Sequence, residues 1–156
     1  MDFTGVWEAL QAEPIYIDGF DQPLRVVAEE VRNAYLPLAR RLWERQRVPG
    51  RRMLVGISGL PGGGKTVTAA TLARVLDALG RGRGERATHL SLDGFHYPNA
   101  WLESHTGRDH DGRVVVLRRI KGAPNTFDAE AAARLLRRVR EGDEVVRFPV
   151  YSRALH

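Results

Sequence analysis

"GISGLPGGGKTVTAA", residues 56–70, decides how this chain is read. Gly59-Leu60-Pro61-Gly62-Gly63-Gly64-Lys65-Thr66 satisfies G-x-x-x-x-G-K-[ST] without mismatch. The run before it, "RMLVGIS" (52–58), is short, apolar and closed by glycines, as a buried parallel strand is. The run after it, "TVTAATLARVLDAL" (66–79), has Ala69, Leu72, Ala73, Leu76 and Leu79 at helical spacing and is stopped by Gly80. A strand, a bare glycine loop and a helix N-terminus together form a phosphate cradle. Side-chain-free residues let the backbone curl, so several N–H groups converge on phosphate oxygens. The helix end adds unpaired N–H groups and partial positive charge. On this reading Gly59, Gly62, Gly63 and Gly64 shape the loop and Lys65 supplies a full charge. The Thr66 hydroxyl is placed to ligate Mg²⁺. A dinucleotide-type G-x-G-x-x-G fits less well, because it explains neither Lys65 nor Thr66.

Lysine occurs only twice, at Lys65 and Lys121, which makes a chance lysine in the loop improbable. The 156 residues carry a net charge of +5, and the basicity is almost all arginine. A basic chain invites a polyanion partner. However, "RRLWERQR" (40–47) and "RLLRRVR" (134–140) read as solvated helix faces, neither interleaved with aromatics in the manner of a single-strand binding platform, so no nucleic-acid partner is expected. The chain has no cysteine, which excludes disulfides, thiolate metal sites and a cysteine nucleophile. No secretory signal and no membrane-length apolar run is read, so the expectation is a cytoplasmic protein with no membrane partner.

Upstream, Val27, Val31, Tyr35, Leu38 and Leu42 form a helical stripe that Pro37 should kink or split. Residues 1–23 are poorly patterned, and "VPG" (48–50) ends the unit. Downstream, "ATHLSL" (87–92) reads as a second strand and "EVVRFPV" (144–150) as a third. "RVVVLRR" (113–119) is a short strand candidate, and a short helix starts near Pro98 or Asn99. A helix opens at Asp128 and Glu130 and closes with Arg137, Arg138 and Arg140 before Gly142. The alternation implies an α/β fold with a parallel sheet of about three core strands. Residues 1–50 form an N-terminal helical extension and 51–156 the core.

Asp93 follows the second strand, where open α/β sheets bind ligands. A carboxylate there can accept a proton from an attacking hydroxyl or help hold Mg²⁺; an Asp-Gly turn bonding its own backbone is the competing reading.

The stretches "GISGLPGGGKTVTAA", "SLDGFHYPNAWLES", "KGAPNTFDAEAAARLLRRVREG" and "FPVYSRALH", in that order, resemble the phosphoribulokinase/uridine kinase family of P-loop kinases. The likeness is greatest to the branch of type I pantothenate kinase and its fructose-kinase-like and nucleoside-kinase-like relatives. "EVRNAYLPLARRLWE" (30–44) extends the resemblance upstream, so that it covers residues 26–156. It implies a P-loop NTPase three-layer α/β/α core, ATP and Mg²⁺ as cofactors, and phosphorylation of a small-molecule hydroxyl acceptor. Asp93 becomes the general base, and Lys65 stabilises the transferred phosphoryl group. His96, Tyr97, Asn99, Tyr151 and Arg153 become acceptor-site residues.

Each of these has a plainer reading. His96 can be a loop histidine with one backbone bond, Asn99 a helix cap and Tyr151 a packed aromatic; Lys121, which resembles the family's basic residue that approaches phosphates, reads more plainly as a solvated lysine. Arg153 departs from the pantothenate kinase pattern, which has histidine there; this argues against pantothenate itself as acceptor. "TGRDHDGRVVVLRR" (106–119) is longer than the family's usual linker, so a remodelled acceptor loop is expected. Family members continue with a further strand ending in an acidic residue, an arginine-bearing lid and closing strands. The expectation is therefore a C-terminally truncated core with an unpaired sheet edge, which another chain, including a second copy, can complete. A non-catalytic ATP-binding module is the alternative function.

Overall fold

The computed structural model describes residues 2–17, 21–46, 51–142 and 145–151. They fall into two compact units, residues 1–49 with 53–90 and residues 50–52 with 91–156.

The first unit is helical. Helix α1 (Phe3–Ala12) opens where the Asp2 carboxylate accepts from the Gly5 N–H at 3.1 Å, and it buries Val6 and Leu10 one turn apart. The poorly patterned reading of residues 1–23 missed it, because its two fully inward residues make too short a stripe to stand out. A second helical stretch runs as α2 (Ala28–Glu30), a wider π-type turn (Val31–Tyr35) and α3 (Leu36–Arg45). The Leu36 N–H reaches back five residues to the Val31 carbonyl. Pro37 offers no N–H and crowds the preceding turn, and the wider turn takes it in without breaking the helix. The extra residue rotates the following face. Leu36 and Ala39 are buried, while Leu38, part of the expected stripe, is exposed.

Helix α4 (Lys65–Gly80) packs against α1 and α3 and is buried on most of its circumference from Ala70 onward. Val75 is fully buried, and truncating such a side chain costs about 3 kcal/mol. Gly80 is the last residue of α4 and has an ordinary helical φ of −82°. A Cβ there would stand 2.5 Å from the Glu85 carbonyl oxygen and 3.0 Å from the Trp43 ring. Gly80 is thus a close-packing position, and the left-handed residue that ends the turn after α4 is Gly84 (φ +70°).

In the second unit, helix α5 (Asn99–Ser104) starts where expected and buries Leu102. Strands β1 (Thr106–Arg108) and β2 (Val114–Val116) pair antiparallel, Gly107 opposite Val115. The connection is pinned by Asp109, whose Oδ1 accepts from the N–H groups of Asp111 (3.0 Å) and Arg113 (2.9 Å). Helix α6 (Ala129–Glu141) is capped by Asp128, which accepts from the Ala131 N–H at 2.9 Å, and ends at left-handed Gly142 (φ +91°). These ends match the sequence reading. The Arg52 N–H donates to the Arg140 carbonyl at the C-terminal end of α6.

The parallel sheet is where the structure departs from expectation. Among the described residues the only strand pairing in a sheet is β1 with β2, and it is antiparallel. The segments expected as core strands, 52–58, 87–92 and 145–150, make no ladder. A strand exists only through hydrogen bonds to a neighbour, so apolar composition alone cannot create one. Leu54, Val55, Leu90, Leu92, Val145 and Val150 on these segments are exposed. The fold is mixed helix with a small two-stranded sheet, compatible with an incomplete α/β kinase fold. Among the described residues no helix is long and apolar enough to cross a membrane.

Candidate active site

The glycine loop belongs to the first unit. Gly62 and Gly64 have φ of +74° and +75°, a region open to glycine at little cost, and a Cβ at either would meet nothing within 4 Å. The loop therefore keeps a bare outer surface for reasons of backbone conformation, not crowding. The Gly63 N–H donates to the Leu60 carbonyl at 3.1 Å and closes the turn. Helix α4 begins directly afterwards with Gly64 at its N-cap, and no side chain caps it. By contrast, α1 and α6 both open on a capping aspartate. The first N–H groups of a sixteen-residue helix are thus offered outward next to the loop.

Lys65 is the first residue of α4, and its ammonium folds back over the loop. Nζ donates to the carbonyls of Gly59 (3.0 Å) and Leu60 (2.8 Å). Thr66 follows, exposed, with no hydrogen bond from its hydroxyl among the described residues. That donor set suits Mg²⁺, which keeps most of its waters and is shared with phosphates, better than a cation needing a protein cage. Among the described residues no group of three or more histidine, aspartate or glutamate side chains is placed to hold a metal ion.

The second unit holds the described residues that the sequence reading expects on the acceptor side. Asp93 opens a single 3₁₀ turn (Asp93–Phe95), with its N–H donated to the Ser91 hydroxyl at 3.2 Å. Ser91, not Asp93, supplies the side chain that shapes the turn. The Asp93 carboxylate is exposed and makes no hydrogen bond or ion pair among the described residues. Gly94 lies against the Pro149 carbonyl, where any Cβ would collide. Phe95, buried, meets Phe127 and Phe148 at centroid distances of 6.0 and 5.8 Å and fixes the turn from beneath.

His96 pairs with Phe127 in an antiparallel bridge, and its Nδ1 lies 3.2 Å from the Thr126 carbonyl. It also makes edge contacts with the rings of Phe127 (5.3 Å) and Tyr151 (6.5 Å). Tyr97 stacks on Trp101 at 4.1 Å, and Trp101 on His105 at 3.7 Å, forming an aromatic column along α5. Asn99 is the first residue of α5, not its cap; Pro98 holds the cap position. The Asn99 Oδ1 accepts from Lys121 Nζ at 2.9 Å, and the same ammonium stands 5.5 Å from the centre of the Tyr151 ring. Lys121 thus joins Asn99 and Tyr151, and Tyr151 in turn meets His96; Lys121 is half-buried rather than a free surface lysine. Arg153 lies outside the described residues.

Sequence reasoning missed Thr126. It is fully buried, and its hydroxyl accepts from the Gly122 N–H (3.0 Å) and donates to the Ala123 carbonyl (2.7 Å). Its carbonyl also accepts from the Tyr97 N–H at 3.1 Å. One residue therefore ties the Lys121 loop to the Phe95–Tyr97 segment. The signal was present in K-G-A-P-N-T, where a threonine closes a Pro-containing turn.

The chain is 37% identical over 131 residues to a protein of Escherichia coli (strain K12) described as uncharacterized protein YggC, covering 82% of this chain and 48% of that one. It is 32% identical over 147 residues to a pantothenate kinase of Mycobacterium sp. (strain KMS), covering 81% and 43%. It is 30% identical over 153 residues to a pantothenate kinase of Bacillus velezensis, covering 87% and 44%. Homologues named pantothenate kinase support a kinase family. The chain spans less than half the length of these curated relatives. No family model and no solved structure matches it.

Proposed function

We propose that this chain carries the nucleotide-binding loop and acceptor-binding residues of a P-loop small-molecule kinase of the phosphoribulokinase/uridine kinase type. Such an enzyme transfers the γ-phosphate of ATP to a hydroxyl. The observation that carries the reading is the uncapped start of α4, entered through two left-handed glycines, with Lys65 arched across the loop. In this reading the amides of residues 62–66 and the Lys65 ammonium hold the phosphates. The Thr66 hydroxyl would hold Mg²⁺, which would supply charge neutralisation to the phosphates when bound.

Asp93 accepts the proton of the attacking hydroxyl as its oxygen bonds to the γ-phosphorus, and the bond from that phosphorus to ADP breaks. Its unpaired, exposed carboxylate suits a base awaiting a substrate proton. His96, Tyr97, Asn99 and Tyr151 line the acceptor's place, and Arg153 adds a bidentate donor for an anionic group. Cytoplasmic residence goes with this reading.

The test is acceptor-dependent release of ADP across a panel of sugars, nucleosides and vitamin alcohols, with wild type and Asp93→Asn. The expected result is ADP formation that rises with one acceptor class and is lost in Asp93→Asn while ATP still binds. Unchanged turnover in Asp93→Asn removes the base assignment.

A second reading is a nucleotide-binding module that works only beside another chain, including a second copy. The exposed apolar side chains on segments 52–58, 87–92 and 145–150 favour it. It predicts ATP·Mg binding lost in Lys65→Ala, with no acceptor-dependent ADP release by the chain alone.

A further inference from the structure

We infer that Thr126 is a positioning residue for the phosphoryl transfer, because its hydroxyl closes the loop whose next residues hold the turn that carries Asp93. The inference rests on the kinase reading for the role of Asp93. What Thr126 holds follows from its hydrogen bonds alone.

The turn Asp93–Phe95 is a single 3₁₀ turn with no helix continuing it. Within it, the Phe95 N–H donates to the Leu92 carbonyl at 3.0 Å and the His96 N–H to the Asp93 carbonyl at 3.1 Å. So short a turn gains little from cooperativity and has to be fixed from outside. Before it, the Ser91 hydroxyl accepts from the Asp93 N–H. After it, three consecutive residues take hold of the chain. The Thr126 carbonyl accepts from the Tyr97 N–H at 3.1 Å and lies 3.2 Å from His96 Nδ1. Phe127 pairs with His96 in the antiparallel bridge. The Asp128 N–H donates to the Phe95 carbonyl at 2.8 Å. The place of Asp93 therefore follows from the place of residues 126–128.

Those residues are pinned at both ends. Asp128 caps α6 through the Ala131 N–H. Thr126 is fully buried, and its hydroxyl accepts from the Gly122 N–H at 3.0 Å and donates to the Ala123 carbonyl at 2.7 Å. Its own N–H goes to that same carbonyl at 2.9 Å. A buried hydroxyl cannot exchange such partners for water, so both bonds count toward the shape of the loop. Valine has nearly the outline of threonine and no hydroxyl. It would release the Gly122 N–H and leave the Ala123 carbonyl with one donor instead of two. The backbone bonds of residues 126–128 to the turn would keep their chemistry and lose their anchor. Thr126 thus acts through Asp93 and not on the reacting atoms.

The test uses the full chain with Thr126→Val, which keeps the shape, and Thr126→Ser, which keeps the hydroxyl. Amide hydrogen exchange, read residue by residue by NMR, comes first. Thr126→Val should speed exchange at Tyr97 and Asp128 by about tenfold relative to α6, the worth of one neutral hydrogen bond, and Thr126→Ser should restore most of the protection. Unchanged exchange at both amides overturns the inference. So does an equal loss throughout α5 and α6, which would make Thr126 a residue of general stability. Turnover comes second, read as ADP release with whichever sugar, nucleoside or vitamin alcohol the wild type accepts. Thr126→Val should lower kcat by about tenfold to a hundredfold through misplacement of the base, leave KM for ATP unchanged, and be rescued by Thr126→Ser. Wild-type kcat in the folded Thr126→Val variant overturns the positioning role. The two readings fail differently. Faster exchange at Tyr97 and Asp128 with no ADP formation by the wild type would sink the kinase reading and leave the hold of Thr126 on the turn standing. ADP formation that Asp93→Asn abolishes and Thr126→Val does not alter would do the reverse.

Discussion

The ammonium of Lys65 donates to the Leu60 carbonyl at 2.8 Å, so the loop's single lysine is held by the backbone it arches over. The contact keeps the charge beside the uncapped end of α4 without a carboxylate partner to compete with phosphate. Lys65→Ala should weaken ATP·Mg binding by about tenfold to a hundredfold, the range of a charge-assisted hydrogen bond. The helical circular dichroism should not change, because the side chain bonds only the loop. Calorimetric titration with ATP·Mg checks the first outcome, and undiminished affinity would remove Lys65 from the site.

Two glycines should respond to alanine for different reasons. Gly64→Ala places a Cβ in open space but at φ +75°, which costs about 1–2 kcal/mol from backbone conformation alone. Gly80→Ala has a normal φ but drives its Cβ into the Glu85 carbonyl and the Trp43 ring. It should cost about 1–3 kcal/mol through overpacking. Urea denaturation of both variants measures the costs. Only the Gly64 variant should also weaken ATP binding.

Asp77 is the buried ionic centre of the first unit. Its Oδ1 receives Arg86 Nε at 2.6 Å, and its Oδ2 has Arg74 and Arg81 at 3.6 and 3.8 Å. Asp77→Asn removes the charge that three solvent-reaching arginines surround, and the loss should be about 1–2 kcal/mol of stability, the worth of the charge-assisted hydrogen bond from Arg86. Thermal unfolding should shift down accordingly. A wild-type melting temperature would show that the arginines are satisfied by solvent.

Glu13 gives a pH-dependent contribution with a defined sign. Hydrogen bonds from Arg74 first and Arg81 second, with their charges, hold its carboxyl below the ordinary value. A lowered native pKa means that the unfolded state binds the proton more readily. The contribution is therefore present above the unfolded pKa and is lost as pH falls through the native one. Glu13→Gln should lower stability slightly at neutral pH, slightly because the pair is exposed, and should match wild type below the native pKa, so that the acid limb becomes shallower. Denaturation midpoints from acid to neutral pH test this.

The residues of G-x-x-x-x-G-K-[ST] determined the loop at 59–66 by themselves, because left-handed glycines and a helix start are local properties of the backbone. The ends of α5 and α6 were local too, with Asp128 and Gly142 written beside the helix they close. Tertiary structure decided what depends on neighbours distant in sequence. Apolar composition at 52–58, 87–92 and 145–150 could not supply strand partners. The turn of Leu38 to solvent depended on an extra residue in the helical turn before Pro37. The joining of Asn99 to Lys121 and of His96 to Thr126 depended on a loop returning some twenty to thirty residues later in the chain. Local conformation follows from each residue's own sterics. Pairing and burial follow from which surfaces meet, and that is fixed only when the whole chain has packed.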